Sequence, residues 1–298
     1  MSETERLTLA GVTDLVRHGK RLAMVTAYDA ASAALADAAG LDIVLVGDSA
    51  AMTILGHAST LPVTMDEMLM LTRAVTRGVR RAFVVADMPF GAYQPGEDEA
   101  LRNAIRFVKE AGADAVKLEG AGRTLTRISA ILDAGIPVMG HVGLTPQSAS
   151  LAGSYKARGR TAAEARRIFD EARALERTGC FAVVLEAIPA RVAARITDTL
   201  KIPTIGIGAG ASCDGQVLVW HDLLGLTRGH VPRFVKRYAN LSQTMLDALQ
   251  RYASDVRSAA FPDDTHTYGM PPEELARFEA QIGDSRVDQD FTKPLRKP

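Results

Sequence analysis

Hydrophobic and polar positions alternate in blocks along residues 23–230 of this chain. A short apolar run is followed by a polar loop, an amphipathic helical pattern, a glycine and a new apolar run. Short apolar runs bounded by turn residues are typical of strands buried in a parallel sheet. Eight runs are predicted as strands: 23–28, 42–47, 83–88, 114–119, 137–142, 181–187, 203–208 and a weakly marked one near 216–220.

Eight strands alternating with helices predict an α/β fold, a (β/α)8 barrel of the TIM type. An open doubly wound sheet is the alternative, because the eighth strand is poorly marked. A helix over 8–20 is predicted before the barrel, and a helical pattern over 233–257 follows it. We therefore predict one barrel domain with flanking helices over 1–262. Residues 263–298 are predicted to form a C-terminal extension that is partly mobile or packs on a neighbouring subunit.

Charge and composition exclude several classes of partner. The 35 basic residues balance the 35 acidic ones, so no overall field would attract nucleic acid or an anionic membrane. The polar, acidic start is unlike a signal peptide, and no apolar run reaches the roughly 18 residues of a membrane helix. Cys180 and Cys213 form no disulfide framework and are predicted to be buried. These features predict a cytoplasmic protein.

Four predicted strands end in ionisable residues: Asp48, Asp87, the pair Lys117 and Glu119, and Glu186. The carboxyl ends of barrel strands meet at one face, where active sites lie. Neighbouring strands are about 4.8 Å apart, so Asp48 and Asp87 can reach one cation. Carboxylates without clustered His or Cys favour Mg²⁺. Glu186, across the barrel, would face a substrate on the metal as its base. Helix caps or surface acids are the alternative, although every member ends an apolar run.

Three further features stay open on sequence grounds. His141 follows the fifth strand and is either a substrate contact or a buried hydrogen-bonding residue. Asp29 is either a helix cap or a ligand. The glycine-rich segment 206–210 either binds phosphate on backbone amides or lets the chain approach another backbone closely. Residues 50–63 are predicted to be a loop that folds over the barrel mouth as a lid.

Six segments together resemble one known family. They are Thr-Ala-Tyr-Asp at 26–29, Leu-Val-Gly-Asp-Ser at 45–49, Thr-Leu-Pro-Val-Thr at 60–64, Val-Lys-Leu-Glu-Gly at 116–120, Gly-His-Val-Gly-Leu-Thr-Pro-Gln-Ser at 140–148 and Ile-Gly-Ile-Gly-Ala-Gly at 205–210. In this combination they resemble ketopantoate hydroxymethyltransferase, that is, 3-methyl-2-oxobutanoate hydroxymethyltransferase. The resemblance covers about residues 8–266, in order and without large gaps.

The resemblance implies a Mg²⁺-dependent (β/α)8 barrel of pantothenate biosynthesis. Such an enzyme adds a hydroxymethyl group from 5,10-methylenetetrahydrofolate to 3-methyl-2-oxobutanoate, through an enolate stabilised by the ion, and yields 2-dehydropantoate. The resemblance further implies a homo-oligomer, commonly a decamer. The residue roles that match this chain are metal ligation by Asp48, Asp87 and Glu119, keto-acid binding by Ser49, Asp87 and Lys117, and base catalysis by Glu186. Asp48 and His141 complete the predicted substrate-binding set.

Two departures from the family pattern lie in the predicted lid. Ala50-Ala51 replaces the usual Leu-Gly, and Ala58 stands where the family has an acid. The metal and base positions are intact, so the reaction class is unaffected and the keto-acid preference stays open.

Two other functions compete with this one. A Mg²⁺-dependent lyase of the mutase and isocitrate-lyase kind would need a reactive loop cysteine, and neither cysteine ends a matching motif. A non-catalytic barrel kept for assembly is disfavoured, because a scaffold has no reason to bury five charged side chains.

Overall fold

Eight parallel strands close into a barrel in their order along the chain. The computed structural model describes residues 5–152, 155–227, 229 and 231–282. The strands are β1 (Leu22–Thr26), β2 (Ile43–Val46), β3 (Phe83–Asp87), β4 (Ala115–Glu119), β5 (Val138–Gly143), β6 (Ala182–Glu186), β7 (Thr204–Ile207) and β8 (Gly215–Leu218). Pairing of β8 with both β1 and β7 closes the sheet. The predicted TIM barrel is confirmed, and the open sheet is excluded.

Helices precede the strands, alternate with them along the chain and follow the last of them. In chain order they are α1 (Leu9–Arg17), α2 (Ala30–Ala38), α3 (Ala50–Thr53), α4 (Met65–Gly78), α5 (Glu97–Ala111), α6 (Thr124–Asp133), α7 (Pro146–Ala152), α8 (Ala162–Thr178), α9 (Ala190–Thr197), α10 (Trp220–Leu223), α11 (Leu241–Arg257) and α12 (Pro272–Ile282). Thr64 and Glu67 form a capping box at the start of α4. Gly112 and Gly179 end α5 and α8 with left-handed backbone, which glycine adopts without a steric penalty.

The strands are apolar along their whole length because both of their faces are covered. Side chains such as Met24, Phe83 and Met139 fill the barrel interior. Those on the other face, such as Val44 and Val116, pack against the helices. A barrel filled in this way has no pore, so the polar groups that end the strands gather at the mouth.

Two segments differ from their predicted structure. Residues 233–240 were predicted as the start of a helix, yet α11 begins only at Leu241. The backbone N–H groups of Tyr238 and Leu241 instead donate to the carbonyls of Leu223 and Leu224, and these tertiary bonds replace helical ones. The predicted lid loop also contains a short helix, α3, whose Ala50 and Ala51 are buried.

The chain forms two compact units, residues 1–242 and 243–298. In the second unit, the ring of Phe261 contacts the rings of Tyr252 and His266. Its helix α12 was not predicted, because the apolar periodicity of that segment is weak. The predicted boundary at residue 262 lies inside this second unit, and residues 283–298 of the predicted extension lie outside the described residues.

The chain's two cysteines are free and buried, as predicted. Among the described helices, none is both long and apolar enough to cross a membrane.

Candidate active site

The ends of β2, β3 and β4 bring two carboxylates and a lysine together. Asp87 lies opposite Lys117 in the β3–β4 register, and Lys117 Nζ contacts Asp87 Oδ1 at 2.7 Å. The backbone N–H of Asp48, which follows β2, donates to Asp87 Oδ2 at 3.1 Å. All three side chains are buried, with exposed fractions of 5%, 4% and 5% for Asp48, Asp87 and Lys117. The strand register thus produces the cluster that the sequence predicts.

His141 links the other predicted acids to this cluster. Its Nδ1 is 3.4 Å from Lys117 Nζ and 3.7 Å from Glu119 Oε1, and its Nε2 is 3.2 Å from Glu186 Oε2. A charged lysine only donates, so Nδ1 accepts and the ring proton lies on Nε2. Among the described residues, this buried Nε2 has no hydrogen-bond partner of suitable geometry. It is therefore available to a bound molecule.

Gln147, at the start of α7, fastens two of the acids in place. Its Nε2 donates to Asp48 Oδ2 and to the carbonyl oxygen of Met88, each at 3.0 Å. Its backbone N–H donates to Glu119 Oε2 at 3.1 Å. The hydroxyl of Tyr93 donates to Gln147 Oε1 at 2.8 Å, so all the polar groups of the Gln147 side chain are used. Gln147 is a functional candidate that sequence reasoning missed, although it lies in the quoted 140–148 segment.

Ser49 lies at the edge of the same cluster. Its hydroxyl is 2.8 Å from the hydroxyl of Tyr28. A Cβ atom built on Gly47 would stand 2.8 Å from Ser49 Oγ and 3.6 Å from Asp87 Oδ2. Only a glycine at position 47 lets these polar groups converge, because a larger residue would displace the serine hydroxyl.

Burial and mutual repulsion shape the charges of the site. Burial, assisted by the charge of Asp87, raises the pKa of Asp48 to about 7. Burial raises the pKa of Glu186 to about 7 against the opposing charge of Lys117. Burial and Asp48 hold the pKa of Glu119 well above its usual range. Among the described residues, Lys117 is the cation that pairs with these acids, so the site has an excess of negative charge when its carboxylates ionise.

Lys117 and His141 differ in charge: the lysine is protonated and the histidine is neutral. Burial alone would lower the pKa of Lys117, but Asp87, Glu119 and Asp48 raise it above its ordinary value, so the amine stays charged. Burial and then the charge of Lys117 hold the pKa of His141 well below its usual range. At neutral pH the site therefore contains a charged lysine beside a neutral imidazole.

The donor set of the site fits a hard cation. Asp48, Asp87 and Glu119 offer only oxygen atoms, which Mg²⁺ prefers. Asp48 Oδ1 accepts no hydrogen bond from the residues that the structure describes. Within that same part of the chain, no three His, Cys, Asp or Glu side chains form a ready-made metal cage. Mg²⁺ does not require one, since it usually takes one or two carboxylates and keeps water or substrate oxygens as its other ligands.

All the predicted site residues lie in one connected group. The contacts above join Asp48, Asp87, Lys117, Glu119, His141 and Glu186, Ser49 follows Asp48 directly at the edge of this group, and their individual roles stay predictions. Asp29 instead caps α2, with its carboxylate accepting from the Ser32 N–H at 2.8 Å. In the 206–210 segment, a Cβ at Gly208 or Gly210 would stand 2.6 Å from the Phe234 ring or 2.5 Å from Ala190. This favours close packing as the reason for those glycines.

Comparison with known proteins identifies the family. The family model of ketopantoate hydroxymethyltransferase matches residues 6–264. The chain is 53% identical over 281 residues to the 3-methyl-2-oxobutanoate hydroxymethyltransferase of Oleidesulfovibrio alaskensis, covering 94% of this chain and 97% of that one. It is 50% identical over 274 residues to the protein of the same name from Carboxydothermus hydrogenoformans, covering 92% and 99%.

Solved structures share the fold at much lower identity. A phosphonopyruvate hydrolase complex with oxalate and Mg²⁺ superposes with a TM-score of 0.57 at 14% identity, covering 98% of this chain and 100% of that one. A 2,3-dimethylmalate lyase of the PEP mutase/isocitrate lyase superfamily gives 0.56 at 16% identity, covering 92% and 99%. These likenesses concern the barrel alone, whereas the family match and the close relatives confirm the predicted enzyme class. The chain belongs to the ketopantoate hydroxymethyltransferase family.

Proposed function

We propose that this protein transfers a hydroxymethyl group from 5,10-methylenetetrahydrofolate to 3-methyl-2-oxobutanoate, giving 2-dehydropantoate for pantothenate and coenzyme A biosynthesis. One water is consumed overall, which supplies the oxygen of the new hydroxyl. The observation that carries this proposal is the buried group of Asp48, Asp87, Lys117, Glu119 and Glu186 at the barrel mouth, in a chain whose close relatives bear this enzyme's name. Such a group is suited to hold a small anionic keto acid and to move a proton on it.

Glu186 is the base in this proposal. Its pKa, raised to about 7 by burial, leaves a large ionised fraction at neutral pH together with appreciable basicity. It would remove the proton from C3 of the keto acid, and C3 would then attack the one-carbon unit of the folate. His141 lies between the base and the cation, with Nε2 3.2 Å from Glu186 Oε2 and Nδ1 3.4 Å from Lys117 Nζ.

Lys117 and the predicted metal ligands would manage the negative charge that develops on the keto oxygen. Bound Mg²⁺ would act as a Lewis acid toward the keto acid, and Asp48, Asp87 and Glu119 would hold it. The amine of Lys117, kept charged by its acidic neighbours, places a second positive charge in a water-poor site. Ser49 would bind the carboxylate of the keto acid.

A lyase that uses a cysteine is disfavoured. Cys180 and Cys213 are 2% and 1% exposed, which leaves little access to a substrate. Burial raises the pKa of Cys180 to about 12 and also raises that of Cys213. A thiol in such a setting is a poor nucleophile.

We also propose that the enzyme is a cytoplasmic homo-oligomer of decameric size that binds neither nucleic acid nor membrane. Exposed apolar side chains on three adjacent helices support self-association: Leu35 on α2, Met70 on α4 and Ile105 on α5, with exposed fractions of 62%, 57% and 42%. Light scattering coupled to size-exclusion chromatography tests this. Ten chain masses support the decamer, and a monomer at micromolar concentration overturns it.

Product formation tests the proposed reaction. The protein is incubated with the keto acid, the folate and Mg²⁺, and 2-dehydropantoate is measured by mass spectrometry. We expect product that disappears with a chelator and in Glu186→Gln. A matched control is Glu171→Gln, which changes a carboxylate on α8 that pairs with Arg167 at 3.7 Å, and it should behave like the parent. Failure of the parent protein to form product contradicts the proposal.

A further inference from the structure

A chain of hydrogen bonds connects a backbone amide to the Ser49 hydroxyl. The N–H of Trp220 donates to Thr26 Oγ1 at 2.9 Å. The hydroxyl of Thr26 donates to the hydroxyl of Tyr28 at 2.8 Å. The Tyr28 hydroxyl is in turn 2.8 Å from Ser49 Oγ. Thr26 and Tyr28 are each 2% exposed, whereas Ser49 is half-buried, so the chain runs from the protein interior to the mouth.

The amide sets the direction of this chain. A backbone N–H only donates, so Thr26 Oγ1 accepts from it and places its single proton on Tyr28. The Tyr28 oxygen is then an acceptor, and its own proton points to Ser49. Burial raises the pKa of Tyr28 to about 12, so the phenol keeps that proton at neutral pH. Ser49 Oγ therefore accepts from Tyr28, and its own proton is left to be donated.

The free proton of Ser49 faces the site. The hydroxyl lies above Gly47, near the position of Asp87 Oδ2. Within the described residues, the hydroxyl of Ser49 has no hydrogen-bond partner other than Tyr28. The backbone of Ser49 is also fixed, because the Thr53 hydroxyl donates to its carbonyl oxygen at 3.0 Å. A bound group with free lone pairs at this position would accept the Ser49 proton and complete the series of hydrogen bonds.

We propose that Tyr28 is a positioning residue that makes the Ser49 hydroxyl an obligate donor toward the carboxylate of the keto acid. This inference rests on the proposed function, in which Ser49 binds that carboxylate. A serine alone can donate or accept with equal ease, and its preference would be lost to rotation. The hydrogen bonds from the Trp220 amide through Thr26 and Tyr28 to Ser49, here called the relay, remove this freedom. The site therefore selects an acceptor-only group such as a carboxylate oxygen.

The test compares Tyr28→Phe, Ser49→Ala and the double variant. Calorimetry measures the Kd of 3-methyl-2-oxobutanoate with Mg²⁺ present, and kinetics measure KM and kcat. We expect Tyr28→Phe to raise Kd and KM by up to about tenfold with little change in kcat, since Ser49 keeps its hydroxyl but is no longer held as a donor to the charged group, which weakens binding before any chemistry. Ser49→Ala should raise them at least as much. The double variant should bind no more weakly than Ser49→Ala, because Tyr28 acts only through Ser49.

A second pair of variants keeps the proposal falsifiable if Tyr28→Phe folds poorly. Thr26→Val cuts the relay upstream and should weaken keto-acid binding by a smaller factor. Thr26→Ser restores the hydroxyl and should return binding to the parental value, which a purely structural role of the buried threonine methyl would not explain. Mg²⁺ affinity without keto acid should be parental in every one of these variants.

The outcomes separate the relay from the reaction. If the parent binds the keto acid and forms product, but Tyr28→Phe or Thr26→Val binds it with parental affinity, the relay is wrong and the proposed function stands. If the losses in Tyr28→Phe and Ser49→Ala multiply in the double variant, Tyr28 acts independently of Ser49 and the relay is again wrong. If the parent binds no keto acid, the proposed function fails, and the relay fails with it.

Discussion

The two ends of the barrel treat the same residue type in opposite ways. At the amino ends of the strands, the Asp37 carboxylate accepts from the backbone N–H groups of Arg80, Arg81 and Ala82 at 2.7–3.0 Å. Burial alone would raise the pKa of Asp37, but these bonds hold it below its usual value. At the mouth, the pKa values of Asp48 and Glu186 rise to about 7.

The difference lies in the donors. Asp42, Asp114 and Asp214 are hydrogen-bonded to the backbone as Asp37 is. Each accepts the N–H of a residue at the start of β1, β3 or β7, respectively, at 2.8–2.9 Å. The mouth carboxylates have few such partners and lie against one another. Carboxylates that are satisfied by the backbone stabilise the fold, whereas those left with excess charge are available for a cation and a substrate.

A cavity also lies at the end of the barrel opposite the mouth. An open cavity of about 1150 Å³ lies at the amino ends of the strands, lined in part by Leu15, His18, Asp42 and Arg81. Its Asp37 and Asp42 are already bonded to backbone amides, and Arg81 donates to the Leu41 carbonyl oxygen at 2.6 Å. These charged groups that line the cavity are therefore already paired, unlike the carboxylates of the proposed site at the mouth.

The largest expected effect comes from removing the mouth base. Glu186→Gln should lower the rate of product formation by a factor of about 10²–10⁴, the usual contribution of general base catalysis. Its unfolding temperature should equal or exceed that of the parent, because a buried acid is replaced by a neutral side chain. Turnover assays and thermal unfolding check both. A Glu186→Gln variant that loses stability and keeps activity would show that Glu186 serves the fold, as Asp37 does, and not the reaction.

Removing the hydrogen bonds that the Gln147 side chain makes at the mouth should have the next largest effect. Gln147→Leu frees the Asp48 side chain and should weaken Mg²⁺ binding about 10–100-fold, as loss of residues behind metal ligands generally does. Calorimetric titration with Mg²⁺ alone measures this without any turnover. The matched control is Gln243→Leu, on the surface of α11, which should bind as the parent does. Parental Mg²⁺ affinity in Gln147→Leu would mean that Asp48 binds the ion without the hydrogen bond from Gln147.

The opposite end should respond in stability alone. Asp37→Ala leaves three backbone donors without their acceptor and should lower the free energy of unfolding by about 1–2 kcal/mol. Asp37→Asn keeps one carbonyl oxygen and should lose less. Urea unfolding measures both, and the product-forming rate of both variants should be parental. A loss of activity in a folded Asp37→Ala protein would show that the two ends are not separate in function.

A change of pH in the unmodified protein also distinguishes the two ends. Glu186 must be ionised to act, and its pKa is raised from 4.5 to about 7, so kcat/KM with saturating Mg²⁺ should fall about tenfold per pH unit below 7. Asp37 has a lowered pKa, so its stabilising contribution is present above 3.8 and is lost as the pH falls below that value. Between pH 7 and pH 5, activity should therefore decline while the stabilising contribution of Asp37 to the free energy of unfolding is retained. A rate that is flat from pH 7 to pH 5 would contradict the role of Glu186.

The barrel and the strand-end charges were predictable because both follow from local pattern. A buried parallel strand is apolar throughout, and the residues at its carboxyl end lie at the mouth of the barrel. The weakly marked β8 needed the structure, since only its pairing with Leu22 and Ile205 shows that Gly215 belongs to a strand.

The partners of the site residues were not predictable. Gln147 lies in α7 and Tyr93 in the loop before α5, and they meet only after the barrel closes. Tyr28 lies in a segment quoted for its resemblance, yet nothing local shows that its hydroxyl reaches Ser49. Sequence pattern thus located the charged groups, whereas their hydrogen-bonding neighbours depend on tertiary contacts.

Deuterium exchange at C3 of 3-methyl-2-oxobutanoate tests the central claim most directly, because it isolates proton removal from the transfer step. The keto acid is incubated with protein and Mg²⁺ in D₂O without folate, and the C3 proton signal is followed by NMR. We expect exchange with the parent and with Asp37→Ala, and only background exchange with Glu186→Gln. Absence of exchange with the parent, or a parental rate in Glu186→Gln, would contradict it.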